Sequence, residues 1–245
     1  MNKQEPISET SNFYKGIRIQ APLETHEFVA DYARKNITKG EAVLDIAAGG
    51  GALAKRMIDH GFKPSCTSWN GKCDITVPVY KLDLDKPFTA NDVGGEPFRL
   101  VSAIEIIEHL ENPASFLRSC HDIVAPDGVL ILSTPNIESA AARLQWLMRG
   151  CPWIFDGEEI TKNRHISMMW QQGLEYLIQL AGFHIKEKHL LGPYDSANSL
   201  RAKIKHLIYW LMEKILPGDI HGSTRLYVLS PIDSSPRTAG PGDVW

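Results

Sequence analysis

Short apolar runs alternate with amphipathic segments along the first half of the chain. The amphipathic segments repeat their apolar residues at helical spacing, and the run at residues 129–135 is continuously apolar, as in strands buried on both faces of a parallel sheet. The predicted order is helix 23–36, strand 42–47, helix 51–61, strands 64–69, 79–84 and 98–104, helix 112–128 and strand 129–135. Gly61 is predicted to end the second helix, and Asn112 to cap the third. A Pro-Asp-Gly turn is predicted to close the third helix. This alternation predicts a doubly wound α/β fold.

The pattern changes after Pro135. Helices are predicted at residues 139–150 and 171–183, with a polar loop at 151–167 between them, and strands at 183–191 and 223–230 enclose a basic, aromatic, amphipathic helix at 200–218. We predict one domain over residues 1–245, with an N-terminal extension (1–20), a core (22–135), a lid and substrate-recognition region (136–182), C-terminal strands with the inserted helix (183–230) and a disordered tail (231–245).

Composition and charge narrow the class of protein. The chain is 43% hydrophobic and 22% charged, which is ordinary for a globular protein, and its net charge of −3 gives no long-range attraction for nucleic acid. The four cysteines form no C-x-x-C pair, which predicts reduced thiols: Cys66, Cys73, Cys120 and Cys151. The polar N-terminus lacks an apolar signal core and no window has the length of a membrane span, so a cytoplasmic location is expected.

A glycine-rich turn follows the first core strand, from Asp45 through Ala47 to Gly49, Gly50 and Gly51. Glycines allow a tight turn and a close approach of the backbone to a ligand, and the next helix offers free N–H groups. The Lys-Ser/Thr ending of a phosphate-binding P-loop is missing. An acid before the turn suits a ligand with an amino group better than one with a pyrophosphate, and the methionine moiety of S-adenosylmethionine carries such a group.

The turn resembles the first motif, D-x-G-x-G-x-G, of class I S-adenosylmethionine-dependent methyltransferases, with Ala47 in place of the first glycine. Residues 98–136 resemble the ubiquinone-biosynthesis-like branch of that family, and residues 134–183 resemble methyltransferases of polysaccharide pathways. The resemblance implies a Rossmann-like, mostly parallel seven-stranded sheet with helices on both faces and helical lid insertions. It implies S-adenosylmethionine as the cofactor, held by residues Asp45, Ala47, Gly49, Gly51, Asn70, Asp83, Leu84, Ile104 and Glu105. Asn70 stands where the family has a ribose-binding acid, so either cofactor binding is weaker or the alignment is shifted at this position.

Candidate catalytic groups lie in the segment from Glu105 to His109. On a helix, Glu105, Glu108 and His109 would share one face. Two carboxylates and an imidazole suit Mg²⁺, Mn²⁺, Fe²⁺ or Zn²⁺, and the resemblance adds His165 as a fourth ligand. In relatives without a metal, the acid caps a helix and the histidine lines the pocket. Glu108, His109 and His165 are therefore predicted as catalytic, whereas a metal site and a purely structural role for His165 both stay open.

The acceptor is predicted less sharply than the donor. Aromatic residues of the lid can stack on a ring or pack the lid onto the core, namely Trp146, Trp153, Phe155 and Trp170. Asp156, Glu158 and Glu159 disfavour an RNA acceptor. We predict O-methylation of a small molecule or glycan hydroxyl; the alternatives are RNA 2′-O-methylation, C- or N-methylation of a metabolite, and a non-catalytic scaffold. For the amphipathic helix at 200–218 we predict at most peripheral contact with a membrane. The alternative is that its apolar face packs on the core of the same chain or against a second subunit of a homodimer.

Overall fold

A computed structural model describes residues 12–192 and 200–232, with side chains described from residue 203 onward in the second range. A small antiparallel hairpin comes first, formed by β1 (Phe13–Tyr14) and β2 (Ile17–Arg18). The remaining strands are β3 (Ala42–Ile46), β4 (Lys63–Ser68), β5 (Val79–Lys81), β6 (Phe98–Ala103), β7 (Val124–Pro135), β8 (Phe183–Leu191) and β9 (Thr224–Pro231). The α-helices are α1 (Leu23–Asn36), α2 (Ala52–Asp59), α3 (Pro113–Ile123), α4 (Ala140–Arg149), α5 (Gly157–Asn163), α6 (Gln171–Leu180) and α7 (Leu200–Ile215).

The larger sheet has seven strands in the order β5-β4-β3-β6-β7-β9-β8. The five strands from β5 to β7 pair in parallel, whereas β9 pairs antiparallel with both β7 and β8. The predicted mostly parallel, Rossmann-like sheet is confirmed. Because parallel strands end at the same edge, the segments that follow β3, β4, β6 and β7 meet there, which is where α/β proteins bind ligands.

The sheet is buried on both faces. Successive residues of β3 point to opposite sides: Leu44 belongs to the apolar cluster that contains α3 and α6, and Val43 belongs to the cluster that contains α1 and α2. Leu100 and Val101 divide between the two clusters in the same way. Apolar residues are therefore required at consecutive positions, which explains why these strands are continuous apolar runs.

The predicted boundary between helix α3 and strand β7 differs from the structure. Helix α3 begins after its predicted cap, Asn112, whose side chain accepts the Ser115 N–H at 3.1 Å, but it ends at Ile123. The Pro-Asp-Gly segment lies inside β7, where the pairing with β6 shifts register. A Cβ at Gly128 would lie 2.8–3.0 Å from three backbone oxygens, so this bulge requires glycine.

The regions outside the core also depart from the sequence interpretation. The predicted loop at residues 151–167 contains α5, whose N-cap Asp156 accepts hydrogen bonds from the N–H groups of Glu158 and Glu159 at 3.0 Å. The predicted extension contains the β1–β2 hairpin, and most of the predicted disordered tail lies outside the described residues. Among the described helices, none combines the length and apolarity needed to cross a bilayer.

Candidate functional site

Two adjoining cavities open at the carboxyl edge of the sheet. The first, the Asp83 cavity, has a volume of about 870 Å³ and is bordered by the ends of β4 and β5. The second, the Glu108 cavity, has a volume of about 750 Å³ and lies between the β1–β2 hairpin and the lid. Ala47, Ile106, His109 and Asn163 line both cavities. The two spaces therefore form one cleft, and His109 stands at their junction.

The glycine turn forms the floor of this junction. Ala47 has a φ of 55°, in the left-handed region that favours glycine, so the position keeps the conformation of the motif glycine that it replaces. Gly49 has a φ of 54° and lies under Gln20, whose side-chain oxygen would collide with a Cβ. Gly51 lines neither cavity. It lies at the start of α2 against Cys73 and Ile75, so it shapes the turn rather than the cavity wall.

Asp45 is 6% exposed and lines a small cavity of about 40 Å³ beside the turn. Its carboxylate accepts a hydrogen bond from Ser102 Oγ at 2.9 Å and another from the Ala54 N–H, and burial nevertheless raises the pKa of Asp45 to about 7. A cationic amino group in this cavity would relieve that desolvation.

Arg18 is a candidate binding residue that the sequence interpretation missed. It lines the small cavity with Asp45 and also the Glu108 cavity, and it forms no ion pair with any described residue. Its guanidinium is suited to a carboxylate. Together, Asp45 and Arg18 offer opposite charges to the two ends of an amino-acid moiety. Ile104, a predicted cofactor residue, lines the same two cavities.

Two predicted cofactor residues line the Asp83 cavity, and a third lies beside it. Asp83 and Leu84 line the cavity, and the Lys86 ammonium, 2.9 Å from Asp83, lowers the pKa of that exposed carboxylate. Asn70 is not part of the wall. Its side-chain oxygen accepts hydrogen bonds from Ser68 Oγ at 2.7 Å and from the Lys72 N–H at 2.9 Å, which closes a local turn. Its neighbour Trp69, 80% exposed, lines the cavity instead.

The segment that follows β6 is not an α-helix. Glu105 has a φ of 49°, and only Ile107–His109 form a single turn of 3₁₀-helix. Glu105, Glu108 and His109 therefore do not share the helical face on which the sequence interpretation would have brought all three together. Glu105 lines the Glu108 cavity and accepts a hydrogen bond from Ser133 Oγ at 2.7 Å, and burial raises the pKa of its carboxyl group to about 7.

Glu108, His109 and His165 converge, with one potential ligand atom of each lying within 4.8 Å of the others. The Glu108 side chain is 1% exposed; one carboxylate oxygen accepts a hydrogen bond from Thr134 Oγ1 at 3.1 Å, and the other is 3.8 Å from His109 Nε2. Burial and the nearby Glu105 carboxylate raise the pKa of Glu108. Burial also lowers the pKa of His109, which favours the neutral imidazole.

Backbone carbonyls fix the tautomers of both histidines. His109 Nδ1 is 2.7 Å from the Asn163 carbonyl oxygen, and His165 Nδ1 is 2.8 Å from the Ile154 carbonyl oxygen. Because a carbonyl only accepts, each Nδ1 carries the hydrogen and each Nε2 keeps its lone pair. Two imidazole nitrogens and one carboxylate oxygen fit a divalent transition metal, and the backbone contacts are the outer support that such ligands require. Glu105 lies outside this group of three.

The lid is tied to the core by polar contacts beside the cleft. Arg164 binds Asp85 at 3.0 Å and Glu111 at 2.6 Å, next to the Asp83 cavity. Asn136, directly after β7, lines neither cavity, and the N-cap of α4 is Ser139. Its amide donates to carbonyls of the segment before β9, and its oxygen accepts from the fully buried Arg225 at 3.0 Å.

The lid aromatics do not line the cleft. Trp146 is 48% exposed and Trp170 is 55% exposed, whereas Phe155 is buried with its ring centroid 5.7 Å from that of His165. Neither cavity includes any of these three residues or Trp153 in its wall. Their direct contribution to the lid is packing, and in the case of Phe155 this packing supports a cleft histidine.

Known proteins resemble the chain in sequence. A family described as a methyltransferase domain matches residues 17–188. The chain is 29% identical over 177 residues to a ubiquinone biosynthesis O-methyltransferase of Dinoroseobacter shibae, a match that covers 62% of this chain and 68% of that protein. Its counterpart in Ruegeria pomeroyi is 30% identical over 169 residues, which cover 61% and 66% of the two chains. The matches thus span about two thirds of these relatives.

Solved structures share the fold at low sequence identity. An S-adenosylmethionine-dependent methyltransferase from Archaeoglobus fulgidus superposes with a TM-score of 0.51 at 16% identity, over 83% of this chain and 93% of the other. An N1-methyltransferase for 1,6-didemethyltoxoflavin from Burkholderia thailandensis, solved with S-adenosylhomocysteine, gives a TM-score of 0.54 at 11% identity over 85% and 79%. With the family match over residues 17–188, the chain belongs to the methyltransferase-domain family and is a class I, S-adenosylmethionine-dependent methyltransferase.

Proposed function

We propose that the chain transfers a methyl group from S-adenosylmethionine to a hydroxyl oxygen of a small molecule or glycan. The observation that carries this proposal is the convergence of Glu108, His109 and His165 at the junction of two cavities. Transfer to an alcohol or phenol requires removal of a proton, and a neutral imidazole beside a carboxylate can accept one. The curated relatives named as O-methyltransferases support the same chemistry.

S-adenosylmethionine would supply the methyl group, and residues of the Asp83 cavity and the glycine turn would hold it. Asp45 would accept from the amino group of the methionine moiety, Arg18 would bind its carboxylate, and Asp83 and Leu84 would contact the adenine. His109 lines both cavities and so stands where the methyl donor and its acceptor would meet. Holding the donor and acceptor in line supplies much of the rate enhancement, because sulfonium displacement has a neutral leaving group.

The acceptor hydroxyl lies in the Glu108 cavity and gives its proton to His109 Nε2 as the oxygen–carbon bond forms and the carbon–sulfur bond breaks. The products are the methyl ether, S-adenosylhomocysteine and a protonated His109. The Asn163 carbonyl, 2.7 Å from Nδ1, orients the ring. The charge that forms on His109 favours the ionised form of Glu108 against its raised pKa, and the carboxylate, with one oxygen 3.8 Å from Nε2, in turn stabilises the imidazolium.

A divalent metal is the second arrangement that these residues support. Glu108, His109 and His165 would be its protein ligands, and the ion would lower the pKa of a bound hydroxyl. Imidazole nitrogens favour Fe²⁺ or Zn²⁺ over Mg²⁺. In that arrangement Glu105, hydrogen-bonded to Ser133, lines the cavity outside the ligand group.

Titration calorimetry with S-adenosylhomocysteine, with and without EDTA, tests the donor side. Micromolar, chelator-insensitive binding is expected, and no binding in either condition would refute the proposed cofactor site. Mass spectrometry of products from panels of phenols, sugars and short RNAs then identifies the acceptor and the methylated atom. Transfer confined to RNA, carbon or nitrogen would refute the proposed acceptor class. The predicted cytoplasmic location stays a prediction.

Variants test the catalytic groups, and a chelator separates the general-base arrangement from the metal arrangement. H109N and E108Q are expected to lower kcat at least about 100-fold with little change in S-adenosylhomocysteine affinity. The control is H184N, because His184 is exposed on β8. Activity of the wild type that EDTA abolishes and one divalent metal restores would favour the metal arrangement. Activity insensitive to EDTA would favour His109 as the base.

A further inference from the structure

Helix α7 carries an exposed apolar face. Five large apolar side chains on this helix are between 44% and 77% exposed: Ile204, Leu207, Trp210, Leu211 and Ile215. Isolated exposed apolar residues are common on proteins, but five on one helix of 16 residues form a patch that marks an interaction surface.

This face is distinct from the one that holds α7 on the protein. Tyr209 is 5% exposed and packs with Ala140 and Ile220, and Met212 and Leu144 contact the same cluster. The inner side of α7 is therefore already satisfied by α4 and by the segment before β9. The last turn of α4 adds exposed apolar residues of its own, Trp146, Leu147 and Met148.

The charges on this surface have one sign. Lys203, Lys205 and Lys214 are exposed, and the Lys214 ammonium lies 5.9 Å from the centre of the Trp210 ring. The acid within residues 203–216, Glu213, has a side chain that is only 14% exposed and pairs with His221 at 3.2 Å. The exposed side chains of this described segment thus combine cationic groups with apolar and aromatic ones.

Such a combination fits the boundary of an anionic bilayer. Apolar side chains enter the acyl region, tryptophan prefers the headgroup level, and lysines reach the phosphates while their stems stay in the apolar layer. We propose that the outward face of α7, together with the last turn of α4, docks on an anionic lipid surface. A second copy of the chain fits less well, because the lysines of two such faces would repel each other.

The patch lies at the same edge of the sheet as the cleft. The Ala140 N–H at the start of α4 donates to the Ile220 carbonyl at 2.8 Å, and Thr224 at the start of β9 pairs with Pro135 at the end of β7. Pro135 lines the Glu108 cavity. Docking is a property of the surface alone and does not rest on the proposed methyl transfer.

The test is co-sedimentation of the full chain with vesicles of phosphatidylcholine and phosphatidylglycerol in equal amounts, and with vesicles of phosphatidylcholine alone. We expect binding to the anionic vesicles, at least about tenfold weaker binding to the neutral ones, and weakening by added salt. Absence of binding to the anionic vesicles would overturn the proposal.

Matched variants localise the contact. K203E/K205E/K214E and L207S/W210S are each expected to weaken binding to anionic vesicles at least about tenfold. The controls are K35E/K39E/K63E, which changes three exposed lysines elsewhere, and Y176S/I232S, which removes two exposed apolar side chains from other elements. Unchanged circular dichroism and S-adenosylhomocysteine binding show that each variant is folded. Equal losses in the controls would overturn the proposal. It would also be overturned if the wild type bound no vesicles and formed a dimer that the L207S/W210S substitutions dissociate.

Discussion

Replacing Asp45 with asparagine should stabilise the protein while weakening its cofactor binding. The pKa of Asp45 is raised from an ordinary 3.8 to about 7, because the carboxylate is buried. At a pH between these values, Asp45 is protonated in the folded protein and ionised in the unfolded chain. This group therefore makes the free energy of unfolding fall as the pH rises through that range. Above pH 7 the cost of the buried charge is fully present, at about 4 kcal/mol for about three pKa units.

Asparagine carries no charge at any pH in this range and avoids that cost. The stability of D45N relative to the wild type should therefore increase by about 2 kcal/mol between pH 5.5 and pH 8.5. The increase does not depend on how well the amide replaces the hydrogen bonds from Ser102 and Ala54, because those losses are present at both pH values. S-adenosylhomocysteine should bind at least about tenfold more weakly, because a charge-assisted contact to its amino group is lost.

The assay is urea unfolding of the wild type and D45N at both pH values, with calorimetry of S-adenosylhomocysteine binding at pH 8.5. The control is E96Q, because Glu96 is exposed in the turn before β6 and its neutralisation should change stability little at either pH. A D45N effect of the same size at both pH values would refute a raised pKa for Asp45. Unchanged ligand affinity would refute its role at the amino group.

Three further substitutions test other structural assignments. A47G should stabilise the protein by about 0.5–1 kcal/mol in urea unfolding, because it relieves a φ of 55°; destabilisation would show that the Ala47 methyl group packs productively. G128A should destabilise by more than about 2 kcal/mol, since its Cβ would meet three backbone oxygens at 2.8–3.0 Å, whereas a neutral result would exclude a rigid bulge. R225M should cost about 2–3 kcal/mol, because it removes the buried guanidinium that donates to Asn136 at 3.0 Å and to the partly exposed Glu138 at 2.8 Å. The exposed R99M should cost less than about 1 kcal/mol, and equal losses would contradict a lid anchored at Arg225.

The sheet was predictable because its signals are local. Strand β7 is buried on both faces and must therefore be apolar on both, and the continuous apolar run at residues 129–135 indicates this burial. The caps of α2 and α3 were equally predictable from the sequence. Gly61 has a φ of 87° just after α2, and Asn112 accepts the Ser115 N–H at the start of α3. The Pro-Asp-Gly bulge was misinterpreted as a turn because the same residues form both, and only the register with β6 distinguishes them.

The cleft was harder to predict because its parts come from distant segments. His109 and His165 are 56 positions apart, and their rings, 4.7 Å apart, meet only because the lid folds back over the edge of the sheet. The resemblance supplied His165, whereas Arg18 lies in a polar N-terminal segment with no apolar period to reveal its hairpin. Asn70 was assigned by its place after β4, but its side chain closes a local turn instead.

Backbone strain separates the cleft from the rest of the fold. Among the described residues, five other than glycine have a positive φ, and four of them line the two cavities: Ala47, Glu105, Ile154 and Arg164. Each costs on the order of 1–3 kcal/mol, most for the β-branched Ile154, whose carbonyl accepts the His165 Nδ1–H at 2.8 Å. The same strain explains why Glu105 does not share a helical face with Glu108 and His109, since that residue turns out of helical geometry as β6 ends. Local propensity rules thus fail where the surrounding fold imposes a conformation, and the clustering of these residues around one cleft is an independent indication of where the protein works.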